Sequence, residues 1–382
     1  MFHDALVSFA ERRVIVMKIK NPAVTLADEA RNGVKEDVRS GFLDWLFEFS
    51  VTGDDGETYA LGGSILSLAV EKIDLVTLCY SKGTGSVRQL KNSIYKIGEY
   101  PGCAMNRFYH NPQGTLKIEQ REHSVLVSCG KEYSVECFDN GIWHFLLDTQ
   151  DGEYKADLYH RAHGYPLWYG RETPSYLTQH SITYGYNWAG DVDGEFTYQG
   201  KTVKVKGTGQ RERYVAVDSS AAELGGWEDW GFITFNEIHS SMYDMRLGMK
   251  DFAIYNLETQ KYYPEGNMTI EHEDWMFLRE LDGFIPAYYN IRIEVEDGVY
   301  EVRAHVGNAR TWGVTFQVPD NPVATLLFDE VNGTFVYHDG TVKTLTGGRG
   351  AMSVRQWHAY PNILPRELYS DEQKTGEKFD TL

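Results

Sequence analysis

Glu212, Asp229 and Asp244, with the arginines and aromatic side chains around them, are the residues of this chain best suited to chemistry. Arg211-Glu212-Arg213 places charge inside an otherwise apolar stretch. Alternate residues of a strand face opposite sides. Continuing the parity of Val203 and Val205 turns Arg211 and Arg213 inward and Glu212 outward. A bulge at Gly207-Thr208-Gly209 would reverse that. An inward Glu212 would be a general acid with a raised pKa. Inward arginines would need a carboxylate or an anionic ligand group. A solvated ladder of alternating charge is the third possibility. In Trp227-Glu228-Asp229-Trp230, two indoles flank two carboxylates, either as a pocket wall around a catalytic Asp229 or as core tryptophans with solvated acids. Tyr243 and Met245 share one strand face, and Asp244 and Arg246 share the other. That gives a hydrogen-bond donor and a candidate acid, or a structural ion pair. Tyr184, Tyr186 and Trp188 line one face of another strand, as a ligand wall or as core, and His239 is expected at a turn.

Other constellations are excluded by spacing. His160 and His163 are three apart, and His272-Glu273-Asp274 is contiguous; neither is an H-E-x-x-H arrangement, so no metal site is implied. There is no G-x-S-x-G elbow. Lys82-Gly83-Thr84-Gly85-Ser86 lacks P-loop or dinucleotide-site context and reads as a turn. No cofactor is implied. The net charge of −18 would repel a nucleic-acid backbone or an anionic membrane. Cys79, Cys103, Cys129 and Cys137 form no C-x-x-C pair and read as buried free thiols. Without a leader-like N-terminus or a membrane-length apolar run, the expected compartment is the cytoplasm.

The elements that must position these residues are strands. Aromatic residues favour half-buried pleated surfaces, and the chain has 25 Tyr, 18 Phe and 9 Trp. Alternating stretches broken by turn residues recur at 47–61, 194–205, 293–303 and 335–342 and read as β-hairpins. Asp28 to Asp37 reads as a charged helical turn or loop, and Asp251 to Leu257 as either helix or strand. Length divides the chain into two domains, with a boundary expected at 184/185, and Ser370 to Lys378 reads as a disordered tail.

Four ordered stretches carry a likeness. They are Trp45-Leu46-Phe47-Glu48-Phe49 with Gly53-Asp54-Asp55-Gly56 and Leu61-Gly62-Gly63-Ser64; Tyr186 to Val205; Val205 to Tyr214; and Trp227 to Ile233 with Met242 to Arg246. In these the chain resembles the AttH and carotenoid 1,2-hydratase group, which includes kievitone hydratase and fungal lipocalin-like Diels–Alderases. The resemblance implies an all-β fold of two lipocalin (calycin)-like antiparallel barrels or half-barrels, 1–184 and 185–382. It also implies cofactor-free chemistry on isoprenoid- or polyketide-like substrates. The segment that matches the group's Asp/Glu-His-x-Trp reads Arg211-Glu212-Arg213-Tyr214: the His is missing, Tyr214 replaces the Trp, and only Glu212 carries over. Tyr243 and Asp244 carry over from the following hairpin.

The expected function is therefore a cofactor-independent enzyme acting on an unsaturated hydrophobic small molecule by acid–base hydration, isomerisation or cyclisation. The alternative is a non-catalytic binder or carrier. Glu212, Asp229, Asp244 and Tyr243 are the expected catalytic residues. Arg211, Arg213, Tyr214, Trp227, Trp230, Tyr186, Trp188 and His239 are the expected substrate contacts. The site is expected between the two halves, walled by 207–217 and 227–246. Its rival lies inside the N-terminal half, lined by Trp45, Phe47, Tyr59 and Trp143.

Overall fold

The computed structural model describes residues 22–31, 41–69, 72–89, 91, 96–100, 102–176, 182–218, 227–245, 249–279, 283–312 and 323–356. A single-turn helix, α1 (Leu26–Glu29), precedes the strands. In chain order these are β1 (Phe42–Gly53), β2 (Thr58–Leu68), β3 (Ile73–Lys82), β4 (Ser86–Gln89), β5 (Lys96–Glu99), β6 (Met105–Pro112), β7 (Lys117–Gln120) and β8 (Ser124–Cys129). Next come β9 (Tyr133–Phe138), β10 (Ile142–Asp148), β11 (Tyr154–Ala162), β12 (Leu167–Tyr176), β13 (Ile182–Tyr198), β14 (Lys201–Asp218), β15 (Trp227–Thr234) and β16 (Ile238–Met245). The last are β17 (Lys250–Asn256), β18 (Lys261–Tyr263), β19 (Asn267–Leu278), β20 (Gly283–Val295), β21 (Gly298–Trp312), β22 (Val323–Tyr337), β23 (Val342–Thr344) and β24 (Arg349–Gln356). The four expected hairpins are β1–β2, β13–β14, β20–β21 and β22–β23. At the β13–β14 turn Gln199 and Gly200 both take positive φ, the conformation that matches the twist of the strands they join. Asp251 to Asn256 is strand, and His239 lies within β16 rather than at a turn.

The strands form two sheets, of which the first is curled, antiparallel and lipocalin-like. The first runs β6-β3-β2-β1-β14-β13-β11-β10-β9-β8-β7, with β12 also on β13. The second runs β18-β17-β16-β15-β24-β22-β21-β20-β19-β5-β4, with β23 on β22. The change of sheet falls between Asp218 and Trp227, not at 184/185. Tyr186 opens no new unit: β13 pairs with β11 and β14 over most of its length and stays in the first sheet. β4 and β5 cross to the second sheet, where β5 pairs in parallel with β19 and covers its edge. Among the described residues no helix is long and apolar enough to cross a membrane. The 370–378 tail lies outside the described residues.

Strand alternation builds two cores and a seam. Trp45, Phe47, Phe49 and Val51 of β1 face the first core, with Trp143, Phe145, Tyr186, Val203 and Val205. Ile233, Met242, Ile254, Tyr289 and Tyr300 face the second. The opposite faces of the central strands pack on each other. Leu46, Tyr214 and Ala216 meet Trp230, Tyr243 and Met245. One buried carboxylate ties this seam together. Glu48 of β1 accepts hydrogen bonds from Gln210 (2.7 Å), Thr325 (2.7 Å) and Ser353, and lies 3.9 Å from the Arg310 guanidinium.

Candidate functional site

The expected site residues sort into three compartments. β14 keeps one parity from Val203 to Val215, because Gly207 and Gly209 pair without a register shift. A Cβ on Gly209 would come within 2.2 Å of Phe49, so glycine here permits close packing and makes no bulge. Arg211 and Arg213 therefore point into the first core and Glu212 into the seam. Tyr186 and Trp188 line the first core with the arginines.

The two arginines, two residues apart, meet different fates. Arg213 donates to the carbonyls of Glu29 (3.2 Å), Asp44 (3.2 Å), Tyr214 (2.8 Å) and Arg31, and lies 3.7 Å over the Trp45 ring. It clamps the C-terminal end of α1. Arg211 is fully buried, and none of its three guanidinium nitrogens makes a hydrogen bond among the described residues. Its guanidinium lies 4.4 Å from the Trp143 ring centroid, 4.9 Å from that of Trp188 and 5.8 Å from that of Tyr186. The nearest carboxylate oxygen is Glu29 Oε1, at 3.9 Å.

α1 carries that carboxylate on its last residue. A capping box closes its first turn, with Thr25 N and Oγ1 donating to Asp28 at 2.9 and 2.7 Å. Asp28 also takes a two-pronged contact from Arg171 of β12, at 3.1 and 2.8 Å. Glu29, 1% exposed, then reaches into the core. Its Oε1 accepts from Trp143 Nε1 (2.8 Å) and Tyr186 Oη (2.5 Å), while Oε2 is buried and unbonded among the described residues. Burial, and then the Glu29 charge, push the Tyr186 hydroxyl well above its ordinary pKa. The phenol therefore remains a donor.

His160 completes the cluster from β11, opposite Trp143. Its Nε2 donates to the Gly209 carbonyl at 3.2 Å, leaving Nδ1 as a buried, unbonded acceptor among the described residues. Burial, and then the Arg211 charge, hold it well below the ordinary histidine value. Burial holds His239 down to about 4. A histidine that resists protonation only when folded takes up its proton on unfolding. Stability should therefore be level above about pH 6.5 and fall as pH drops below it. The urea midpoint is expected to be lower at about pH 5 than at about pH 7.5, and His160→Gln should flatten that slope. An equally steep slope in the variant would remove His160 from the account.

The seam holds Glu212, Tyr214, Trp230, Tyr243 and His239. Glu212 is buried beside Tyr169, whose hydroxyl is raised first by burial and then by the Glu212 charge. Tyr243 donates to Glu228, and its ring stacks at 6.5 Å on Trp230. His239 meets His163 edge-on at 5.0 Å, and His163 pairs with Asp191 at 2.8 Å. Asp229 and Asp244 lie elsewhere, opposite each other on the second-core face of β15 and β16. Asp229 accepts from His272 and Tyr289, each at 3.0 Å. Asp244 pairs with Lys250 at 2.9 Å, and burial raises its pKa. The side chain of Trp227, and Arg246 altogether, lie outside the described residues. The four expected catalytic residues are thus divided between the seam and the second core.

Glu29 and His160 belong to this cluster but are not among the site residues expected from the sequence. Glu29 sits in a charged stretch with no periodicity. The available signal for His160 was its parity with Tyr154, Ala156 and Leu158, which face the first core.

Fold and site together define a two-sheet lipocalin-like protein with a polar cluster sealed in its first core. No family model matches the sequence, and no curated protein matches it. Solved structures do match in fold. An AttH-like protein of Nitrosomonas europaea aligns over 89% of this chain and 98% of its own, with TM-score 0.54 and 10% identity. Kievitone hydratase from Nectria haematococca aligns over 88% and 97%, with TM-score 0.51 and 10% identity. CghA, solved with Sch210972, aligns over 83% and 89%, with TM-score 0.52 and 10% identity. The chain has the fold that these proteins share.

Proposed function

We propose that the chain is an enzyme that acts on an unsaturated, oxygen-bearing hydrophobic small molecule by acid–base chemistry in its first core. One observation carries this reading: the fully buried Arg211 guanidinium, without a hydrogen-bond partner among the described residues, 3.9 Å from Oε1 of Glu29, a carboxylate whose Oε2 is buried and unbonded among the described residues. A buried guanidinium without hydrogen bonds is costly, so its retention suits a ligand oxygen that accepts from it. Arg211 would stabilise negative charge developing on a carbonyl or enol oxygen. Glu29 would pass a proton to or from the adjoining carbon, with His160 Nδ1 as a second acceptor. Trp143, Tyr186 and Trp188 would wall the substrate and exclude water. The neighbours' names include a hydratase, which fits addition to an unsaturated bond.

Ligand-induced quenching of tryptophan fluorescence tests the location, with lipophilic molecules recovered from the purified protein as probes. Quenching should be lost in Trp143→Phe and retained in Trp230→Phe. Loss with Trp230 alone would place the ligand in the seam. Recovery of each probe chemically unchanged would favour the carrier.

A further inference from the structure

A cavity of about 240 Å³ opens between the two sheets, beside the apolar cluster to which Ala60 and Leu327 belong. At about 30 Å³ per water molecule it has room for a small metabolite. β1 and β2 of the first sheet form one side, and β21, β22 and β24 of the second form the other. The sheets are joined around it. Gly85 N donates to the Gly307 carbonyl at 2.8 Å, and Arg349 Nη1 donates to Thr52 Oγ1 at 3.3 Å.

Three polar groups on the cavity wall keep unused capacity. Asp329 of β22 holds His305 through Oδ1 at 2.7 Å. A Cβ on Gly307 would stand 2.4 Å from its Oδ2, so the carboxylate lies over this glycine, where a larger residue would displace it. Asn308 of β21 is 5% exposed. Its Nδ2 donates to the Gly83 carbonyl, which fixes the amide and leaves Oδ1 buried and unbonded among the described residues. Arg349 of β24 has no carboxylate partner among the described residues, Asp329 included. An anion and a cation thus line one cavity without pairing with each other, and a buried acceptor stands with them. Tyr59, Leu327 and Phe328, all buried, supply an apolar wall.

We propose that this cavity binds an apolar α-amino acid. The ligand's ammonium donates to Asp329 Oδ2 and Asn308 Oδ1, and its carboxylate accepts from Arg349. Its side chain packs on Tyr59, Leu327 and Phe328. A zwitterion answers both charges of the wall, whereas a ligand with a single charge leaves one of them without a partner. The ammonium also gives the buried Asn308 oxygen the donor that it lacks. The wall belongs to both sheets, so the bound amino acid bridges them. The cavity shares no residue with Arg211, Glu29 and His160, so its occupancy is independent of the chemistry proposed for the first core.

Isothermal titration calorimetry of the full chain near neutral pH tests the assignment. L-Leucine is the ligand. Isoamylamine is its analogue without the carboxylate, and 4-methylpentanoate is its analogue without the ammonium. L-Leucine should saturate one site per chain with a Kd of about 1 mM or below. Each analogue should bind at least about tenfold more weakly, the loss of one charge-assisted contact. Arg349→Met should weaken L-leucine about tenfold and leave isoamylamine unchanged. Asp329→Asn should weaken L-leucine to a similar extent and leave 4-methylpentanoate unchanged. Equal weakening of all three ligands in a folded variant would overturn the assigned contacts. Two results on the wild type would overturn the site whether or not the variants fold. One is the absence of saturable binding of L-leucine, and the other is an analogue that binds as tightly as L-leucine.

Discussion

Glu48→Ala is expected to destabilise the protein by about 3–5 kcal/mol, the usual penalty for removing one partner of a buried ion pair. Glu48 and Arg310 belong to different sheets and are both sealed from solvent. Removing the carboxylate strips acceptors from Gln210, Thr325 and Ser353 as well as the counter-charge from Arg310. Such a loss is a large fraction of a typical domain's stability. The measurement is the urea midpoint at neutral pH. Glu48→Ala combined with Arg310→Met should recover at least half of the loss, because the uncompensated charge goes with the arginine. Strictly additive losses in the double variant would show that the ion pair does not carry the seam.

Glu29→Gln should lower turnover of a substrate by about 10²–10⁴-fold, the range of a single general acid–base group. The amide keeps its acceptor oxygen for Trp143 and Tyr186, so folding should be preserved. Arg211→Met should cost turnover on a similar scale, by the loss of charge stabilisation at a developing oxyanion. It should also lower stability, since it leaves the buried Glu29 carboxylate without the guanidinium 3.9 Å away. Arg211→Lys should restore little, because an ammonium lacks the planar face that packs among Trp143, Tyr186 and Trp188. Full activity in both Glu29→Gln and Arg211→Met would move the chemistry out of the first core. Attention would then turn to Asp229, held by His272 and Tyr289 in the second core.

Much of the architecture is legible along the chain because strand alternation and turn chemistry are local. The parity of Val203 and Val205 already turns Arg211 and Arg213 inward, and β14 keeps it through both glycines. The four hairpins follow from glycine and aspartate placed between alternating stretches. Parity names a face without naming what covers that face. Glu212 and Asp229 both look like candidate acids in sequence, yet one is buried in the seam and the other in the second core. Their separation depends on which sheet each strand joins, which long-range pairing decides.

The sequence by itself determined an all-β chain, its hairpins and the alternation of its strand faces, while leaving open whether the arginines, Glu212 or neither at Arg211-Glu212-Arg213 turn inward. Only the tertiary structure decided that these arginines differ. Arg213 is satisfied by carbonyls of Glu29 and Arg31, about 180 residues upstream. Arg211 is left among three aromatic rings. It also decided that Glu29, in a charged stretch without periodicity, reaches the same core. Hydrogen-bond satisfaction is a property of the folded surroundings, and groups far apart in sequence supply it.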